Sequence, residues 1–505
     1  MSEPVIKEGK TAWHIASATR LEFLIDAASY YNAFMQSARL AKKSILILGW
    51  DLDSRLLLNR EADMSEEERT LSHAPEPLPG NSITLLAFLN ELLESSPDLR
   101  IHILNWDYSV IYALEREAMA SIKLFWEASN RLDFQFDNNH PPGASHHQKV
   151  VVIDDSIAFA GGIDLTGQRW DTAMHLPQGP GRNRPDGESY NSFHDIQAMV
   201  SGEAARCLGE LARNRWMRAT GNLLQPPTTR DIWPEKVPST WRDVNVGIIR
   251  TDPPFDNRPE VRESEAFLKE AISSARDYIY IENQYLTSTS IAESLCERLS
   301  ASEGPELVIV TPHECPGWLE EATMGVLRHR IVQRLRESDL YGRLYIYYPS
   351  IKGEDIFVHA KTMVVDNRIA FVGSTNLSNR SMGLDTECSI ALDSNLARPR
   401  SEKSMEGSSK AIGDSRADSI EQGICDYLVR LLSEHLGTDS KSIQKSLQED
   451  SLAGTISRFR GKDRTLIPLK TETDPFLDAV IPQDSIDPEK PLELQKVLAD
   501  ILPLE

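Results

Sequence analysis

A motif that occurs twice constrains the fold of this chain more than any other feature of the sequence. Residues 147–154 read HQKVVVID and residues 359–366 read HAKTMVVD, so each copy has His-x-Lys, four further residues and Asp. At a constant offset of 212 positions, residues 147–165 align with residues 359–377 without a gap. The identical pairs are His147/His359, Lys149/Lys361, Val152/Val364, Asp154/Asp366, Ile157/Ile369, Ala158/Ala370, Phe159/Phe371, Gly161/Gly373 and Leu165/Leu377. A match of this kind indicates an internal duplication.

A similar series of predicted elements precedes each copy of the motif. In the first half, apolar patterns predict strands at 41–51, 99–107 and 131–136, and helices at 82–93 and 109–129. The second half repeats the order, with strands at 275–286, 306–313 and 343–348, and helices at 290–300 and 319–338. Strands that alternate with helices predict an α/β fold: two similar layered halves, each with a mainly parallel or mixed sheet covered by helices.

Four segments follow from these patterns. The Pro-rich stretch 225–240 is the expected join, which gives an N-terminal half over 1–240 and a C-terminal half over 241–395. The Ser-rich, charged residues 399–419 are typical of mobile chain, so 396–419 is predicted to be a flexible insertion. Residues 420–505 are predicted to hold a C-terminal helix and a tail that is rich in Pro from 474 onward.

Composition excludes some classes of protein. The net charge of −22 disfavours a nucleic-acid partner, because such binding depends on many Lys and Arg side chains that neutralise phosphates. Five scattered cysteines without CxxC spacing predict reduced thiols in the cytoplasm. We find neither a signal peptide nor a run of 18 apolar residues, so contact with a lipid would be peripheral.

The repeated side chains suit chemistry on an anion. Side chains alternate along a strand, so His147 and Lys149 project from one face, and His359 and Lys361 repeat the arrangement. A cationic Lys beside a titratable His, on an otherwise apolar strand, favours a site that holds a reacting anion. The alternative is two buried strands whose polar ends are only solvated. A single short motif would favour that alternative, but two copies at one offset favour the site.

A metal site is a further alternative. The first half contains a group of residues of the types that bind zinc: His140, His146, His147, His175, His194 and Asp195. The second half offers only His359 near its motif, and a protonated Lys, which both copies retain, is a poor ligand. We therefore expect neither a metal nor another cofactor in the reaction.

Together these residues resemble the phospholipase D superfamily, whose typical members carry His-x-Lys-x4-Asp twice. The segments that follow the two motifs, FAGGIDLTGQRWDT (159–172) and FVGSTNLSNRSMGLDTECSI (371–390), are similar to those of eukaryotic-type phospholipases D. YIYIENQYLTS (278–288) is similar to the strand that opens their second catalytic half, and residues 192–216 to the strand and helix that close the first. The resemblance covers most of residues 38–392.

The resemblance implies a fold and a mechanism. The two halves would pack face to face around a pseudo-twofold axis and share one active site. His147 would be the nucleophile that forms a phosphohistidine, and His359 would act first as acid and then as base. Lys149, Lys361 and Asn376 would hold the phosphate oxygens in the transition state, and the resemblance also places Ser374 among the substrate-binding residues.

Carboxylates complete the predicted site. The resemblance implies that Asp195 and Glu387 orient the two histidines through their other ring nitrogens. Asp154 and Asp366 end their strands at turns, where Asp commonly accepts hydrogen bonds from nearby backbone, so we expect a structural role. Asp164 stands where the second half has Asn376. Because a carboxylate repels phosphate, we expect Asp164 to point elsewhere or the two subsites to be unequal.

The superfamily contains phospholipases, phosphatidyltransferases and nucleases. The sequence favours a phosphodiesterase that hydrolyses a glycerophospholipid headgroup ester, of phosphatidylcholine or phosphatidylethanolamine, to phosphatidic acid, with transfer to an alcohol as a second outcome. The alternative is a phosphatidyltransferase of the cardiolipin-synthase or phosphatidylserine-synthase type. The expected partners are the lipid, water or an alcohol, and a membrane surface contacted peripherally by a cytoplasmic monomer. Trp318 and the loop 178–192 are candidates for that contact.

Overall fold

The computed structural model describes residues 3–72, 74–107, 130–177, 179–184, 187–315, 317, 320–397 and 407–491. The N-terminal part forms, in chain order, β1 His14–Ile25, α1 Ala27–Ala38, β2 Ser44–Gly49, β3 Leu57–Leu58, a 3-10 turn Arg60–Asp63, α2 Glu66–Ser72, β4 Ile83–Thr84, α3 Leu85–Ser95, β5 Arg100–Trp106, β6 Leu132–Asp137, β7 Lys149–Ile153, β8 Ile157–Gly161, β9 Phe193–His194, β10 Ile196–Gly202 and α4 Glu203–Thr220.

The second half and the C-terminal region follow. The second half forms β11 Trp241–Asp252, β12 Val261–Arg262, α5 Glu263–Ser274, β13 Tyr278–Asn283, α6 Thr289–Ser300, β14 Glu306–Val310, a π-helical turn Glu321–Gly325, α7 Val326–Ser338, β15 Leu344–Ile351, β16 Glu354–Asp355, β17 Phe357–Val358, β18 Lys361–Val365, β19 Ile369–Gly373, α8 Asn379–Gly383, β20 Glu387–Asp393 and a 3-10 turn Ser394–Ala397. The C-terminal region forms α9 Gly407–Leu436, α10 Ser440–Glu449, α11 Leu452–Phe459, β21 Arg464–Pro468, α12 Pro475–Val480 and α13 Gln483–Ile486.

The two halves repeat one strand order. In the first half the neighbours run β6-β5-β2-β7-β8-β10-β1, and in the second half they run β15-β14-β13-β18-β19-β20-β11. In both series the first three strands are parallel to one another and the later pairings are antiparallel. The motif strands β7 and β18 therefore occupy equivalent positions, each beside the innermost parallel strand.

The halves are joined by a pairing that the sequence patterns did not indicate. The long strands β1 and β11 pair antiparallel, from His14 opposite Ile248 to Leu21 opposite Trp241. Seventeen of the described strands consequently belong to one continuous mixed sheet, whereas a separate sheet was expected in each half. The α/β class is confirmed. The extra length of β1 and β11 lets each strand pair within its own half and across the join.

Three apolar clusters surround this sheet. One contains buried side chains from both halves, including Trp216 of α4 and Tyr427 of α9, so it lies between the sheet and these two helices. A second belongs to the first half, where Phe34 and Phe88 of α1 and α3 pack together, and a third belongs to the second half around Phe267. Burial of this apolar area is the main force that holds the helices against the sheet.

Several predicted elements differ from the structure in detail. The predicted helix at 109–129 lies outside the described residues. Of the segment 396–419 that was expected to be flexible, residues 407–419 form the first turns of α9 and residues 398–406 are not described. The described part of the Pro-rich tail, up to residue 491, folds back on the second half, because buried Asp487 accepts hydrogen bonds from the Thr287 hydroxyl and from the backbone N–H groups of Asn379 and Arg380.

None of the helices in the described ranges is both long and apolar enough to cross a membrane.

Candidate active site

Each motif histidine is anchored by backbone to the opposite half. His147 lies just before β7, which begins at Lys149, and the His147 N–H donates to the Thr386 carbonyl at 3.0 Å. His359 precedes β18, and its N–H donates to the His194 carbonyl at 2.8 Å. The short parallel pairing of β9 with β17 lies directly beside this second contact. These crossed connections bring both motifs into one site, although they lie far apart in sequence.

The side chains of the histidines are also held crosswise. His147 Nδ1 lies 3.1 and 3.0 Å from the two carboxylate oxygens of Glu387, which belongs to the second half. His359 Nδ1 lies 2.6 Å from Asp195 Oδ2, which belongs to the first half. Both carboxylates are fully buried, while the histidine side chains retain 14% and 11% exposure. Each ring is thus fixed through Nδ1, which leaves Nε2 for chemistry.

Hydroxyl groups hold the Glu387 carboxylate in turn. Ser381 Oγ donates to one oxygen at 2.6 Å, and Ser374 Oγ donates to the other. Ser374 was expected to bind substrate, but in the structure its hydroxyl faces Glu387. The Ser374 hydroxyl therefore helps to hold Glu387, which orients His147, and this contact does not involve the substrate.

The two lysines have different neighbours. Lys149 Nζ forms a buried ion pair with Asp164 Oδ2 at 3.1 Å and donates to the His147 carbonyl at 3.0 Å. Lys361 Nζ instead contacts the neutral amide oxygen of Gln284 at 3.1 Å and lies 2.9 Å from His359 Nδ1. The same ammonium group also donates to the His359 carbonyl. Lys149 is therefore paired with a carboxylate of its own half, whereas the hydrogen-bond partners of Lys361 are uncharged groups.

Asp164 and Asn376 occupy equivalent positions in the two halves, but their side-chain oxygens differ in charge and in hydrogen bonding. The second oxygen of Asp164 accepts from the backbone N–H of Trp50 at 3.0 Å, so the carboxylate is fixed as well as paired with Lys149. Asn376 Oδ1 is buried, and the described part of the chain offers it no hydrogen-bond partner. The subsites are unequal in the structure, as one of the two sequence-based alternatives required.

The last residues of the two motifs lie at the far ends of their strands. Asp154 accepts hydrogen bonds from the backbone N–H groups of Lys42, Lys43 and Ser44, at 2.7–2.8 Å, where β2 begins. Asp366 makes the same three contacts to the start of β13, at 2.8–2.9 Å. Both residues have positive φ, 50° and 52°, in the left-handed region that turn residues such as Asp tolerate. These carboxylates tie the motif strand to its neighbour and do not reach the histidines.

The electrostatic surroundings make both histidines weak bases. Burial, followed by the charges of Lys149 and Lys361, lowers the pKa of His147 well below its usual value. Burial and Lys361 lower the pKa of His359 in the same direction. Burial raises the pKa of Glu387 to about 7 and that of Asp195 to about 7. Near neutral pH, both imidazoles are therefore neutral, and their carboxylate partners, Glu387 and Asp195, are each partly protonated.

Sequence reasoning missed several residues of the site. The charge of Arg169 acts on both His359 and Lys361, and its guanidinium carbon lies 5.0 Å from the Phe193 ring centroid. Gln284 and Trp50 contact the two lysines from equivalent positions after β13 and β2. Arg169 stands in the quoted QRWD stretch. A basic residue in an otherwise apolar and acidic segment was the available signal.

The other histidines of the first half do not converge on His147. His140 pairs with Asp107 at 2.9 Å and His146 with Asp137 at 3.2 Å, whereas His175 and His194 belong to a separate buried group. Trp318, a candidate for membrane contact, lies outside the described residues, as do residues 178, 185 and 186 of the loop 178–192.

The fold and these contacts define a class of protein: an α/β chain with a duplicated His-Lys site, in which each half supplies the carboxylate that orients the other half's histidine. A family model described as "Cardiolipin synthase, PLD-like domain" matches residues 268–406. This match and the curated relatives described next support the phospholipase D superfamily.

Several curated proteins are similar to this chain. Phospholipase D A of Dictyostelium discoideum is 24% identical over 480 residues, which cover 83% of this chain and 35% of that protein. Phospholipase D1 of Schizosaccharomyces pombe is 22% identical over 549 residues, covering 87% and 38% of the two chains. Cardiolipin synthase A of Pectobacterium carotovorum is 24% identical over 252 residues, covering 49% and 44%. The chain thus spans little more than a third of the length of the first two relatives.

Among solved structures, the phosphatidylserine synthase of Haemophilus influenzae Rd KW20 matches with a TM-score of 0.49 and 12% sequence identity. The match covers 86% of this chain and 94% of that one.

Proposed function

We propose that this chain is a phospholipase D-type phosphodiesterase that hydrolyses the headgroup ester of a glycerophospholipid to phosphatidic acid. The observation that carries the proposal is the crosswise pairing of His147 with Glu387 and of His359 with Asp195. It places two oriented imidazoles in one site, which is what displacement at phosphorus by a nucleophile and an acid requires.

In the first step, His147 Nε2 attacks phosphorus and the bond to the headgroup oxygen breaks. The lowered pKa of His147 keeps this nitrogen unprotonated, and Glu387 accepts the hydrogen bond from Nδ1–H as positive charge develops on the ring. The product of this step is a phosphohistidine that carries the phosphatidyl group, and a proton passes from His359 to the departing headgroup alcohol.

His359 needs a proton for that step, although burial and Lys361 lower its pKa in the unliganded protein. An anionic phosphodiester bound beside the ring favours the imidazolium form, because opposite charges stabilise each other at short range. We therefore expect His359 to take up its proton when the substrate binds. In the second step, His359 removes a proton from water, the oxygen attacks phosphorus, and the bond to His147 Nε2 breaks to release phosphatidic acid.

An alcohol can replace water in the second step, since either supplies an O–H to the same base. Transfer to an alcohol is the second outcome that we propose. A phosphatidyltransferase of the cardiolipin-synthase type is the alternative function, and it is favoured by the family model that matches residues 268–406. The two functions share the first step and differ only in the acceptor.

Phosphatidylcholine or phosphatidylethanolamine is the proposed lipid, contacted at a membrane surface, with the chain acting as a cytoplasmic, peripherally bound monomer. The phosphate of such a lipid lies at the bilayer surface, so the mouth of the site must reach the interface. Because the net charge is −22, we expect binding that does not rise steeply with anionic lipid.

The test is lipid mass spectrometry after incubation of the purified protein with vesicles of phosphatidylcholine, phosphatidylethanolamine and phosphatidylglycerol, with and without ethanol. Phosphatidic acid alone, and phosphatidylethanol when ethanol is present, supports the proposal. Cardiolipin formed from phosphatidylglycerol supports the alternative. Unchanged lipids, with turnover by the His147→Ala protein as the blank, would contradict both.

A further inference from the structure

A second group of histidines and carboxylates lies buried beside the motif site. Asp26 precedes α1, His175 lies in the loop between β8 and β9, His194 belongs to β9, and Glu434 belongs to the C-terminal helix α9. The side chains of Asp26, His175 and His194 are at most 1% exposed, and that of Glu434 is 5% exposed. Four separate segments of the chain therefore contribute one buried side chain each to the same point.

The ligand-type atoms of these four residues converge. Glu434 Oε1 lies 3.0 Å from His175 Nε2 and 2.8 Å from His194 Nδ1. Asp26 Oδ1 lies 3.0 Å from His194 Nδ1, and Asp26 Oδ2 lies 3.7 Å from His175 Nε2. All four ligand atoms fall within 4.8 Å of one another. In a tetrahedron with zinc–ligand distances near 2.0 Å, neighbouring ligand atoms stand about 3.3 Å apart.

One polar atom in this group is left over. Asp26 Oδ2 is completely buried and has no hydrogen-bond partner among the described residues, and it points into the same group. A buried carboxylate oxygen without a hydrogen bond costs free energy, so native structures bring such atoms against a donor or a cation, whereas His175 Nε2 stays 3.7 Å from Asp26 Oδ2. The atom therefore indicates that the group lacks a partner.

The remaining ring nitrogens are held as they are in metal sites. His175 Nδ1 lies 2.8 Å from Asp171 Oδ2, and His194 Nε2 lies 2.8 Å from Glu282 Oε2. Glu282 also contacts His435 Nε2 at 2.9 Å, and Asp171 is paired with Arg182 at 3.1 Å. Histidines that bind a metal typically donate their other N–H to a carboxylate, which fixes the tautomer and the ring.

We propose that Asp26, His175, His194 and Glu434 form a closed, four-coordinate site for a divalent transition metal ion, zinc being the ion that this set of nitrogen and oxygen ligands suits. Two neutral imidazoles and two carboxylates would bind the ion with no net charge. Because all four positions are filled by side chains, the ion would take no part in the reaction.

The ion would act as a structural link. Glu434 comes from the C-terminal helix and the other three ligands from the first half, so one ion would hold α9 against the N-terminal half. His194 also precedes Asp195, whose carboxylate orients His359. Metal binding would consequently add to the stability of the fold and keep the strand that carries Asp195 in place.

A hydrogen-bonded group without metal is the competing interpretation. Both ring nitrogens of His175 and of His194 face carboxylates, so without an ion each contact needs a proton, and a ring that carries two protons is a positively charged imidazolium. Two imidazolium ions balance the carboxylates as well as one zinc ion does. They leave Asp26 Oδ2 unbonded, however, and that difference favours the metal.

The test is elemental analysis of protein produced in zinc-supplemented medium and purified without chelators. We expect about one zinc ion per chain in the wild type, and less than about a tenth of that in His175→Asn and in Glu434→Gln. His146→Asn is the matched control, because the buried His146 side chain also faces a carboxylate, that of Asp137 at 3.2 Å, but lies outside the group. It should keep the full zinc content.

Two results would overturn the proposal. A wild-type protein that contains no zinc, and takes up none when zinc is added, would assign the group to paired imidazolium ions. A His175→Asn protein with full zinc content would place the ion elsewhere. If the variants fail to fold, X-ray absorption of the wild-type zinc protein decides: the site predicts two imidazole nitrogens and two oxygens near about 2.0 Å, and any sulfur ligand or six-coordinate shell contradicts it.

Discussion

The two halves of the active site hold equivalent lysines in different ways. In the first half, Lys149 is neutralised by buried Asp164, which is itself fixed by the Trp50 backbone. In the second half, Lys361 contacts the Gln284 amide, and the position equivalent to Asp164 is Asn376, which has an unsatisfied oxygen. The duplicated motif thus supplies the same side chains twice, but their neighbours give the two subsites different charges.

This difference shows how the two copies of one motif can take different roles in a reaction. In the second half, burial lowers the pKa of Lys361 to about 7, so the lysine beside the histidine proposed to act as acid and base is only partly charged near neutral pH. The first half holds its lysine in an ion pair beside the histidine proposed to be the nucleophile. Asp164 and Asn376 therefore set different charges beside the two lysines, and variants that alter one half at a time test this comparison.

Removing either histidine should have the largest effect. We expect His147→Ala and His359→Ala each to lower kcat by about 10⁴-fold. The first removes the proposed nucleophile, and the second removes the proposed acid and base. A p-nitrophenyl phosphodiester, whose leaving group needs no proton, should then distinguish the roles of the two histidines. His359→Ala should still form a phosphorylated intermediate on residue 147, which mass spectrometry of quenched protein can detect.

The control for that experiment is the His147→Ala protein, which should show no adduct. An adduct on residue 359 would reverse the two roles. Absence of any adduct in both variants and in the wild type would argue against a covalent route.

The orienting carboxylates should come next in effect. We expect Glu387→Gln to lower kcat on the order of 10²-fold, since the amide cannot stabilise charge on His147. Glu387 accepts the His147 N–H fully only when it is ionised, and its raised pKa lies at about 7. Activity of the wild type should therefore be lost as the pH falls through about 7, and this loss should be smaller in the kcat/KM profile of Glu387→Gln, in which Asp195, whose pKa is also about 7, still titrates.

The same pKa predicts a change in stability with the opposite sign. A carboxyl group whose folded pKa is raised above its unfolded value destabilises the fold progressively as the pH rises from about 4.5 to about 7. The Gln variant carries no such penalty, so the gap in melting temperature between variant and wild type should move in favour of the variant across that window. A gap that is constant with pH would remove Glu387 as the titrating group.

Exchanging the unequal pair tests the comparison itself. We expect Asn376→Asp to lower kcat/KM by about 10²-fold, because it places a negative charge where phosphate oxygens are proposed to bind. We expect Asp164→Asn to act in the other direction on binding, with KM reduced by about three- to tenfold, since Lys149 is released from its ion pair. Steady-state kinetics on a soluble phosphodiester measures both. Equal losses in the two variants would show that the charge difference between the subsites has no consequence.

Changes at the distal aspartates should have the smallest effect on catalysis. We expect Asp154→Asn and Asp366→Asn to lower the free energy of unfolding by about 1–3 kcal/mol, since each weakens three hydrogen bonds to backbone N–H groups, with the smaller loss at the more exposed Asp366. Thermal unfolding measures the loss. With the folded variants below their melting temperature, kcat should stay within about threefold of wild type. A much larger fall in kcat would assign these residues to the chemistry.

A good part of the site could be predicted from the sequence because it depends on local geometry. The alternation of side chains along a strand places His147 with Lys149 and His359 with Lys361, whatever surrounds them. The repeated order of strands and helices follows from apolar patterns of the same kind. The turn chemistry of Asp154 and Asp366 indicated a structural role, although their backbone partners lie on another strand.

Other features depend on which surfaces meet, and only the tertiary structure decided them. Glu387 orients a histidine 240 positions away, and Asp195 one 164 positions away, so no local pattern could match each carboxylate to its ring. The pairing of β1 with β11 depends on the same contact between halves, as does the merging of the two expected sheets into one. The buried group around Asp26 and Glu434 needs the C-terminal helix in place before its atoms converge. The sequence determined what each strand presents, and packing between distant segments determined what each side chain faces.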